Sequence, residues 1–381
     1  MNGGRVTAGI LYYLGIVLVC APFLRANLAW LPLVFLLAWG VKRGTEWLSA
    51  NETVGRVRER TDRFVIRHRL PFVGALAAAA VLLPLAASGY VIDIVTAAFL
   101  YAILATALNI TVGLTGVLVL GFIGFYAIGA YTTGILTAKF ALCNFWVALP
   151  LSGLMAMLFG VLLGIPTLRL KGDYLAIVTL GFGEIVKIFL NNLDSLTGGP
   201  NGILGIRRPA VGPFTTDTQT AFYYFTFAVL VLTIFILSRV IHSRFGRAWI
   251  AVRENEMAAG ALGIDVFKKH LLSFSISAFF AGIAGALFAA KQGFVSPDSF
   301  TFYESVLVLC MVVLGGLGNI AGSVLGAFLL IVVPEFLREF ALYRMLIFGG
   351  VMIAFMIFRP HGILGSRTIT LEMEDARHGD E

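Results

Sequence analysis

Long apolar runs fill most of this chain, and short polar segments separate them. A membrane-spanning helix needs about 20 apolar residues, and many of the runs approach or exceed that length. Candidate spanning helices fall at 10–24, 27–39, 70–88, 91–112, 117–137, 145–166, 174–190, 221–240, 271–290, 304–333 and 343–358. The pattern predicts an all-α fold, a polytopic transmembrane helix bundle of about 10–11 spans, some of them broken or re-entrant.

The positively charged residues are concentrated in two of the polar segments. Lys42–Arg69 holds eight Lys or Arg residues, and Arg239–His270 holds six. Cationic segments beside spanning helices stay on the cytoplasmic side, so both are expected there. The Asn191–Thr220 loop has only two arginines and three prolines, and it is expected on the opposite side.

The first basic segment divides the chain. Four arginines recur in it at helical spacing, namely Arg56, Arg60, Arg63 and Arg67. This pattern predicts an amphipathic helix at the membrane interface, although a solvated linker has a similar composition. The run at 10–24 could also begin a signal peptide, but no small-residue cleavage pattern follows it. The predicted domains are an N-terminal hairpin with the basic linker (1–69), the main bundle (70–365) and a disordered acidic tail (366–381).

The composition agrees with a membrane protein and argues against other classes. Hydrophobic residues make up 59% and charged residues 13% of the 381 residues, against about 25% charged in soluble domains. The net charge of +7 lies mostly between the apolar runs, as membrane topology requires. Nucleic-acid binding is therefore not expected. The three cysteines lie far apart and lack the spacing of a metal or redox site.

Motifs that bind nucleotides or metals are missing from the sequence. No lysine follows a glycine, so the phosphate-binding pattern G-x-x-x-x-G-K-[ST] is absent, and any ATP must be hydrolysed by a partner. The five histidines are scattered and form no H-E-x-x-H motif. The sequence therefore predicts no enzyme activity, no catalytic residues, no metal site and no cofactor in this chain.

Two glycine clusters within apolar segments are candidates for a translocation path. Glycine this dense at membrane depth permits broken helices that line a cavity. Small residues also permit close helix packing, and the sequence leaves both interpretations open. The candidate residues are Gly113, Thr115, Gly116 and Gly121 in the first cluster and Gly315, Gly316, Gly318 and Asn319 in the second.

Two opposite charges lie inside one apolar segment. Ionisable residues within a bilayer are costly, and they mark functional sites by default. Glu184 and Lys187 are three residues apart and share a helix face, so they are expected to form an ion pair. The pair is either a structural one near the end of the helix or a part of the translocation path.

The segment 197–203 combines turn-forming residues on the side opposite the basic segments. It is either a docking point for a solute-delivery protein or an ordinary tight connection. The candidate residues are Thr197, Gly198, Gly199, Asn201 and Gly202.

Several long stretches, in order along the chain, carry a resemblance to a known family. They are GLTGVLVLGFIGFYAIGAYTTGIL, LKGDYLAIVTLGFGEIVKIFLNNLDSLTGGPNGI, GRAWIAVRENEMAAGALGIDVFKKHLLSFSISAFFAGIAGAL, VLGGLGNIAGSVLGAFLL and RMLIFGGVMIAFMIFRPHGILG. Between about Ala86 and Gly365 the chain resembles the LivM-type permease of branched-chain amino acid ABC importers. Urea permeases of the same superfamily are similar through these blocks, whereas the N-terminal extension resembles that of LivM-type chains.

The resemblance implies an importer in the bacterial inner membrane that is built from several subunits. This chain would be a multi-pass permease for leucine, isoleucine and valine. Its partners would be a second, LivH-like permease, two cytoplasmic ATPases that bind ATP and Mg, and a periplasmic or lipid-anchored binding protein. An importer of urea or short amides is the first alternative. A self-sufficient secondary transporter or channel is the second.

The second basic segment is predicted to transmit the energy of ATP. Asn255 can cap a short helix, Gly263 can end it, and Asp265 can cap the next helix. The loop that contacts the ATPase in ABC permeases resembles E-A-A-x-x-x-G, but here Met257 holds the acidic position and Glu256 comes one residue earlier. A solvated basic loop is the alternative. The candidate ATPase-coupling residues are Arg247, Glu254, Glu256, Ala258, Ala259 and Gly263.

Overall fold

The structure is a computed structural model of the chain. It describes residues 80–84, 87–168, 170, 172–211, 214–215, 218–336, 349–350 and 362–363. The predicted N-terminal hairpin with its basic linker, most of the segments 70–88 and 343–358, and the acidic tail lie outside these residues. The proposed domain boundaries therefore stay predictions.

Helices make up most of the described chain, as an all-α fold requires. They are α1 Gly89–Asn109, α2 Ile123–Gly134, α3 Phe145–Thr167, α4 Asp173–Asn192, α5 Asp194–Thr197, α6 Gln219–Ile241, α7 Arg244–Glu254, α8 Glu256–Ala261, α9 Val266–Gln292, α10 Phe302–Gly315 and α11 Ile320–Phe336. The π-helical turns Ile110–Leu114 and Ile135–Lys139 continue α1 and α2. Short 3-10 turns lie at Gly199–Asn201 and Pro297–Ser299.

Short strands occur only in the connections between the described helices. They are β1 Ile203–Leu204, β2 Ala210–Val211, β3 Phe214–Thr215 and β4 Phe294–Val295. β1 pairs antiparallel with β4, and β2 pairs antiparallel with β3. The first pair joins the connection after α5 to the connection after α9, which fixes these two distant segments beside each other.

Five helical stretches of the described chain are long and apolar enough to cross a membrane, and this confirms the predicted polytopic membrane fold. They are Gly89–Leu114, Phe145–Thr167, Gln219–Ile241, Val266–Gln292 and Pro297–Gly315. Ile320–Glu335 is a shorter apolar helix. The predicted total for the whole chain stays a prediction, because several of its candidate spans lie outside the described residues.

Two predicted spans differ from the observed helices. The segment 117–137 becomes helical only at Ile123, where α2 begins. The segment 304–333 is divided into α10 and α11 by the non-helical residues between Gly315 and Ile320. Both differences fall at glycine clusters, where the backbone leaves the helical conformation at low steric cost.

Helices α1 and α9 form the core of the bundle. In an apolar 18-residue stretch of each helix, the buried share is 72% for Gly89–Leu114 and 67% for Val266–Gln292, but only 22% for Gln219–Ile241. Small residues let α9 approach its neighbours closely. A Cβ atom built on Gly160 of α3 would lie 2.7 Å from the Cβ of Ala278 of α9. Much of the glycine therefore serves helix packing.

The long helices separate two groups of connecting segments. We name the first group the Arg253 end, which comprises residues 113–116, 244–265 and 315–319. The second group is the Glu304 end, which comprises residues 191–206 and 293–304. Helix α9 has 27 residues and runs from one end to the other, a distance of about 40 Å. The predicted coupling segment and the predicted outer loop thus lie at opposite ends, while the side of the membrane that each end faces stays a prediction.

Candidate functional site

The first glycine cluster ends helix α1. The helix passes into the π-helical turn Ile110–Leu114 and ends at Thr115, whose Oγ1 donates to the carbonyl of Thr111 at 2.6 Å. The next residue, Gly116, has a φ of 72°, a left-handed conformation that favours glycine. The backbone is therefore broken at this cluster, rather than only packed closely.

Side chains of other helices hold the backbone between this break and α2. The amide of Leu120 donates to Thr179 Oγ1 at 3.1 Å, and the amide of Ile123 donates to Ser305 Oγ at 3.1 Å. Gly121 lies against the backbone of Thr179, where a Cβ atom has no room. Unpaired backbone groups are costly in apolar surroundings, and residues of α4 and α10 pair these two.

The second glycine cluster separates α10 from α11. Gly316 has a φ of 116° and Gly318 a φ of 81°, both of which favour glycine. Asn319 Oδ1 accepts from the amide of Gly322 at 3.3 Å and so caps α11. Gly315 and Gly322 approach so closely that neither has room for a Cβ atom. The clusters thus contain both helix breaks and close packing, while a cavity lined by the breaks stays a prediction.

The two breaks lie side by side, and Arg253 of α7 connects them. The amide of Gly318 donates to Asn109 Oδ1 at 2.8 Å. The guanidinium of Arg253 donates to the carbonyl of Gly113. Its Nη1 lies 3.8 Å from a Cβ atom built on Gly318, and its Cγ lies 3.4 Å from one built on Gly116. The structure brings both predicted clusters to one place, while their role in translocation stays a prediction.

The predicted coupling segment forms the short helices α7 and α8 at the same end. Asn255 Oδ1 accepts from the amide of Ala258 at 3.0 Å, and Gly263, just after α8, has a φ of 83°. Asp265 Oδ1 accepts from the amide of Lys268 at 3.0 Å, where α9 begins. The structure therefore confirms all three predicted helix caps.

The candidate coupling residues differ in exposure. Ala259 is only 2% exposed, so it packs within this chain. The exposed members are Arg247, Glu254, Glu256, Ala258 and Gly263. Met257 and Leu262 are 83% and 82% exposed. Large exposed apolar side chains close together, one on a short helix and one directly after it, are typical of a surface that a partner covers.

Residues that the sequence analysis did not select anchor α7 and α8 to α9. Trp249 is fully buried, and its Nε1 donates to the carbonyl of Lys269 at 2.9 Å. His270 Nε2 lies 3.4 Å from Glu256 Oε1. The sequence feature that could have identified these residues is the apolar face of α7, on which Trp249 and Val252 are both buried. These contacts tie the coupling segment to the first turns of the central helix.

The predicted ion pair between Glu184 and Lys187 is wrong for this conformation. Lys187 Nζ lies instead 3.9 Å from Asp298 Oδ1 at the Glu304 end, and no ion pair within the described ranges joins it to Glu184. The spacing on α4 permits the predicted pair, but the turn before α10 presents a competing carboxylate. A role for either residue in the translocation path stays a prediction.

The candidate residues of the outer loop form a tight connection. Thr197 Oγ1 donates to the carbonyl of Leu190 at 2.6 Å and accepts from the amide of Gly199 at 3.2 Å. Three glycines adopt left-handed or otherwise positive φ angles, namely Gly198, Gly199 and Gly202. Asn201 is exposed. The geometry agrees with turn chemistry, and docking of a partner at this loop stays a prediction.

A polar cluster that the sequence pattern did not predict lies at the Glu304 end. The hydroxyl of Tyr101 donates to Glu304 Oε2 at 2.6 Å, across 203 residues of sequence. Glu304 lies in the first turn of α10, within a candidate membrane span. The sequence feature that could have predicted this cluster is a carboxylate within an apolar segment. In the described part of the chain, no group of three or more His, Cys, Asp or Glu residues could hold a metal ion.

Comparison with known proteins agrees with the sequence features. A family model described as the permease component of branched-chain amino acid transport systems matches residues 90–356. The high-affinity branched-chain amino acid permease LivM of Escherichia coli K12 is 47% identical over 326 residues, which cover 80% of this chain and 76% of that protein. The LivM protein of Salmonella typhimurium is 46% identical over the same length, with the same shares covered.

A second kind of permease is also related. The LivH protein of Salmonella typhimurium is 34% identical over 195 residues, which cover 47% of this chain and 61% of that protein. No solved structure matches the chain. The family match covers most of the described helices, including both glycine breaks and the coupling segment. The chain therefore belongs to the family of branched-chain amino acid transport permeases.

Proposed function

We propose that this chain is the membrane-spanning permease subunit of an ATP-driven importer for leucine, isoleucine and valine. The observation that carries the proposal is its identity of 47% to a LivM permease over most of both chains. The apolar helices supply a membrane-embedded body. The chain lacks the phosphate-binding motif in its sequence, so we assign ATP and Mg to partner subunits and no cofactor to this chain.

The proposed complex lies in a bacterial inner membrane. It contains a LivH-like second permease, two cytoplasmic ATPases and a periplasmic or lipid-anchored binding protein. The relation of this chain to LivH proteins supports a paired arrangement of two similar permeases. The Arg253 end faces the cytoplasm in this proposal, because the second basic segment lies there and cationic segments stay on that side.

The coupling segment supports the proposed direction of energy flow. Met257 on α8 and Leu262 directly after it are exposed, where an ATPase surface can cover them. Asn255 and Asp265 cap the helices on either side, which gives the segment a defined shape. Movement of this segment reaches the glycine breaks through Arg253, which donates to the carbonyl of Gly113. We therefore assign ATPase coupling to α7 and α8, and the translocation path to the broken helices beside them.

The decisive experiment reconstitutes this chain with its partner subunits in proteoliposomes. We expect uptake of radiolabelled L-leucine that requires both ATP and the binding protein. Urea is tested in parallel at equal concentration, and we expect no uptake of it. Uptake of urea but not of leucine would favour the first alternative, an importer of urea or short amides. Uptake by this chain alone, driven only by an ion gradient, would contradict the proposal altogether.

The same preparation tests the coupling assignment. Leu262→Asp places a charge directly after α8, at a side chain that is 82% exposed. We expect the variant to fold and join the second permease but to lose the ATPases during purification. Phe294→Asp is a matched control, because Phe294 is also exposed but lies at the Glu304 end. Retention of the ATPases by Leu262→Asp would remove α8 from the docking surface.

A further inference from the structure

Glu304 is a carboxylate without a cationic partner inside an apolar helix. It accepts a hydrogen bond from the hydroxyl of Tyr101 at 2.6 Å, but no ion pair within the described ranges includes it. By contrast, two other carboxylates at the same end, those of Asp93 and Asp298, lie within 4 Å of lysines, at 3.0 Å and 3.9 Å. A charge in apolar surroundings is costly unless it is paired. The environment of Glu304 therefore suits a cation that comes from outside the chain.

A second, independent observation concerns two tyrosines of α2. The hydroxyls of Tyr126 and Tyr131 are buried and have no hydrogen-bond partner among the described residues. Both residues are only 2% exposed. The amide of Ile123 at the start of α2 donates to Ser305 Oγ at 3.1 Å, which brings the first turn of α2, with Tyr126, beside the first turn of α10, with Glu304. Buried hydroxyls are normally paired, so these groups mark a place where a polar ligand can bind.

Aromatic rings pack against the same two tyrosines. The ring of Phe300 lies 5.4 Å from that of Tyr126 and 6.1 Å from that of Tyr131, measured between centroids. The ring of Phe288 lies 5.3 Å from that of Tyr126. Aromatic faces attract cations, and Phe rings offer an apolar surface to an aliphatic side chain. The region thus combines one negative charge, free hydroxyls and an apolar wall.

We propose that Glu304, Tyr101 and Tyr126 form a recognition site for the ammonium group of an aliphatic amino acid. The carboxylate of Glu304 receives the ammonium, and the hydroxyl of Tyr126 pairs with the polar end of the substrate. Phe288 and Phe300 face its aliphatic side chain. The inference rests on the proposed function and deepens it, because it assigns a selective step to this chain rather than only to a binding protein.

The test uses the complete complex in proteoliposomes, with saturating amounts of binding protein loaded with L-leucine. Two quantities are measured together, the initial rate of leucine uptake and the rate of ATP hydrolysis. Glu304→Gln removes the charge but keeps an acceptor for Tyr101. We expect it to lower the leucine moved per ATP by about tenfold or more, as the loss of a charged hydrogen bond does. Glu304→Asp, which keeps the charge, should restore part of the loss.

A matched control comes from the same end of the bundle. Glu335 also accepts a hydrogen bond from a tyrosine, Tyr90, but Tyr90 is 50% exposed. Glu335→Gln should change the leucine moved per ATP by less than about twofold, because exposed polar pairs contribute little. Tyr126→Phe removes only a hydroxyl without a partner, so it should fold normally and lower the transport ratio by about threefold or more.

Each outcome decides the inference. A wild-type ratio for Glu304→Gln would overturn the site. If Glu304→Gln fails to assemble, Tyr126→Phe decides instead, and a wild-type ratio for that variant would also overturn the site. Failure of the proposed function looks different, because the unaltered complex would then show no ATP-dependent leucine uptake at all.

Discussion

The two ends of the bundle handle polar groups in opposite ways. At the Arg253 end, the helices break at glycines, and side chains pair with the exposed backbone. Arg253 donates to the carbonyl of Gly113, and Asn109 accepts from the amide of Gly318. At the Glu304 end, the residues of the cluster lie within α1 and in the first turns of α2 and α10. The polar groups there belong to side chains, with Tyr101 donating to Glu304.

This difference has a physical consequence. A backbone group freed at a break has a fixed position and must be paired within the apolar interior, so its partners tolerate little change. Side chains on continuous helices can exchange one partner for another without loss of helical hydrogen bonds. The Arg253 end therefore suits a role in conformational coupling, and the Glu304 end suits a role in binding a passing solute. Substitutions at each end test this contrast.

The largest effect is expected for Gly113→Ala. A Cβ atom at this position overlaps Asn109 Oδ1 and the amide nitrogen of Gly318, and neither group can move without breaking the hydrogen bond that joins the two helix breaks. We expect the free energy of unfolding to fall by about 2–3 kcal/mol. Tryptophan fluorescence during denaturation in detergent, to which the buried Trp249 contributes, measures this change.

Gly181→Ala is the matched control for Gly113→Ala. Gly181 also lies within a helix, but a Cβ atom built there meets nothing within 4 Å. Alanine should leave stability unchanged or raise it by about 0.5–1 kcal/mol, because it favours the helix. Equal effects of the two substitutions would show that the contact between the breaks has no energetic importance.

Arg253→Met should have the next largest effect. The carbonyl of Gly113 then loses its donor, which costs roughly 1–2 kcal/mol when the group stays buried. The connection between α7 and both breaks is lost as well, so ATP hydrolysis in the reconstituted complex should continue with little leucine transport. Arg244→Met, at the exposed start of the same helix, serves as the control. If Arg253→Met transports leucine with wild-type coupling to ATP hydrolysis, the Arg253 end has no role in conformational coupling.

A smaller effect is expected from acidification, through Asp265. Hydrogen bonds from the Lys268 amide and side chain lower the pKa of this carboxyl below its ordinary value of 3.8. The folded state therefore gains stability from the carboxylate at pH values above 3.8 and loses it as the pH falls through the lower folded value.

Asp265→Asn isolates this contribution, because asparagine also caps a helix but does not titrate. We expect the unfolding midpoints of the unaltered protein and the variant to approach each other as the pH falls below about 4. A difference that stays constant across this range would show that the carboxylate adds nothing beyond the cap.

The smallest effect is expected for Lys187 and Asp298. Their charged atoms lie 3.9 Å apart, and the side chain of Asp298 is 90% exposed, so water screens the pair. A double-mutant cycle with Lys187→Met and Asp298→Asn should give a coupling energy below about 0.5 kcal/mol. A coupling energy above about 1 kcal/mol would instead make this pair a second strong polar contact at the Glu304 end.

Local features of this protein follow from the sequence alone. The caps at Asn255, Gly263 and Asp265 were predicted correctly, because each depends on a hydrogen bond or a φ angle within a few residues. The apolar runs predicted most of the described helices, because lipid requires about 20 apolar residues for a span. The glycine clusters likewise located both helix breaks, since glycine adopts positive φ at low cost.

Contacts between distant residues were decided only by the tertiary structure. Arg253 and Gly113 are 140 residues apart, and Tyr101 and Glu304 are 203 residues apart. Lys187 has a suitable partner three residues away on its own helix, yet it lies beside Asp298. Helical spacing predicts which residues share one face of a helix. It does not predict which residues of another helix pack against that face. Packing of the bundle selects those partners, because it alone determines which polar groups leave water and must be paired.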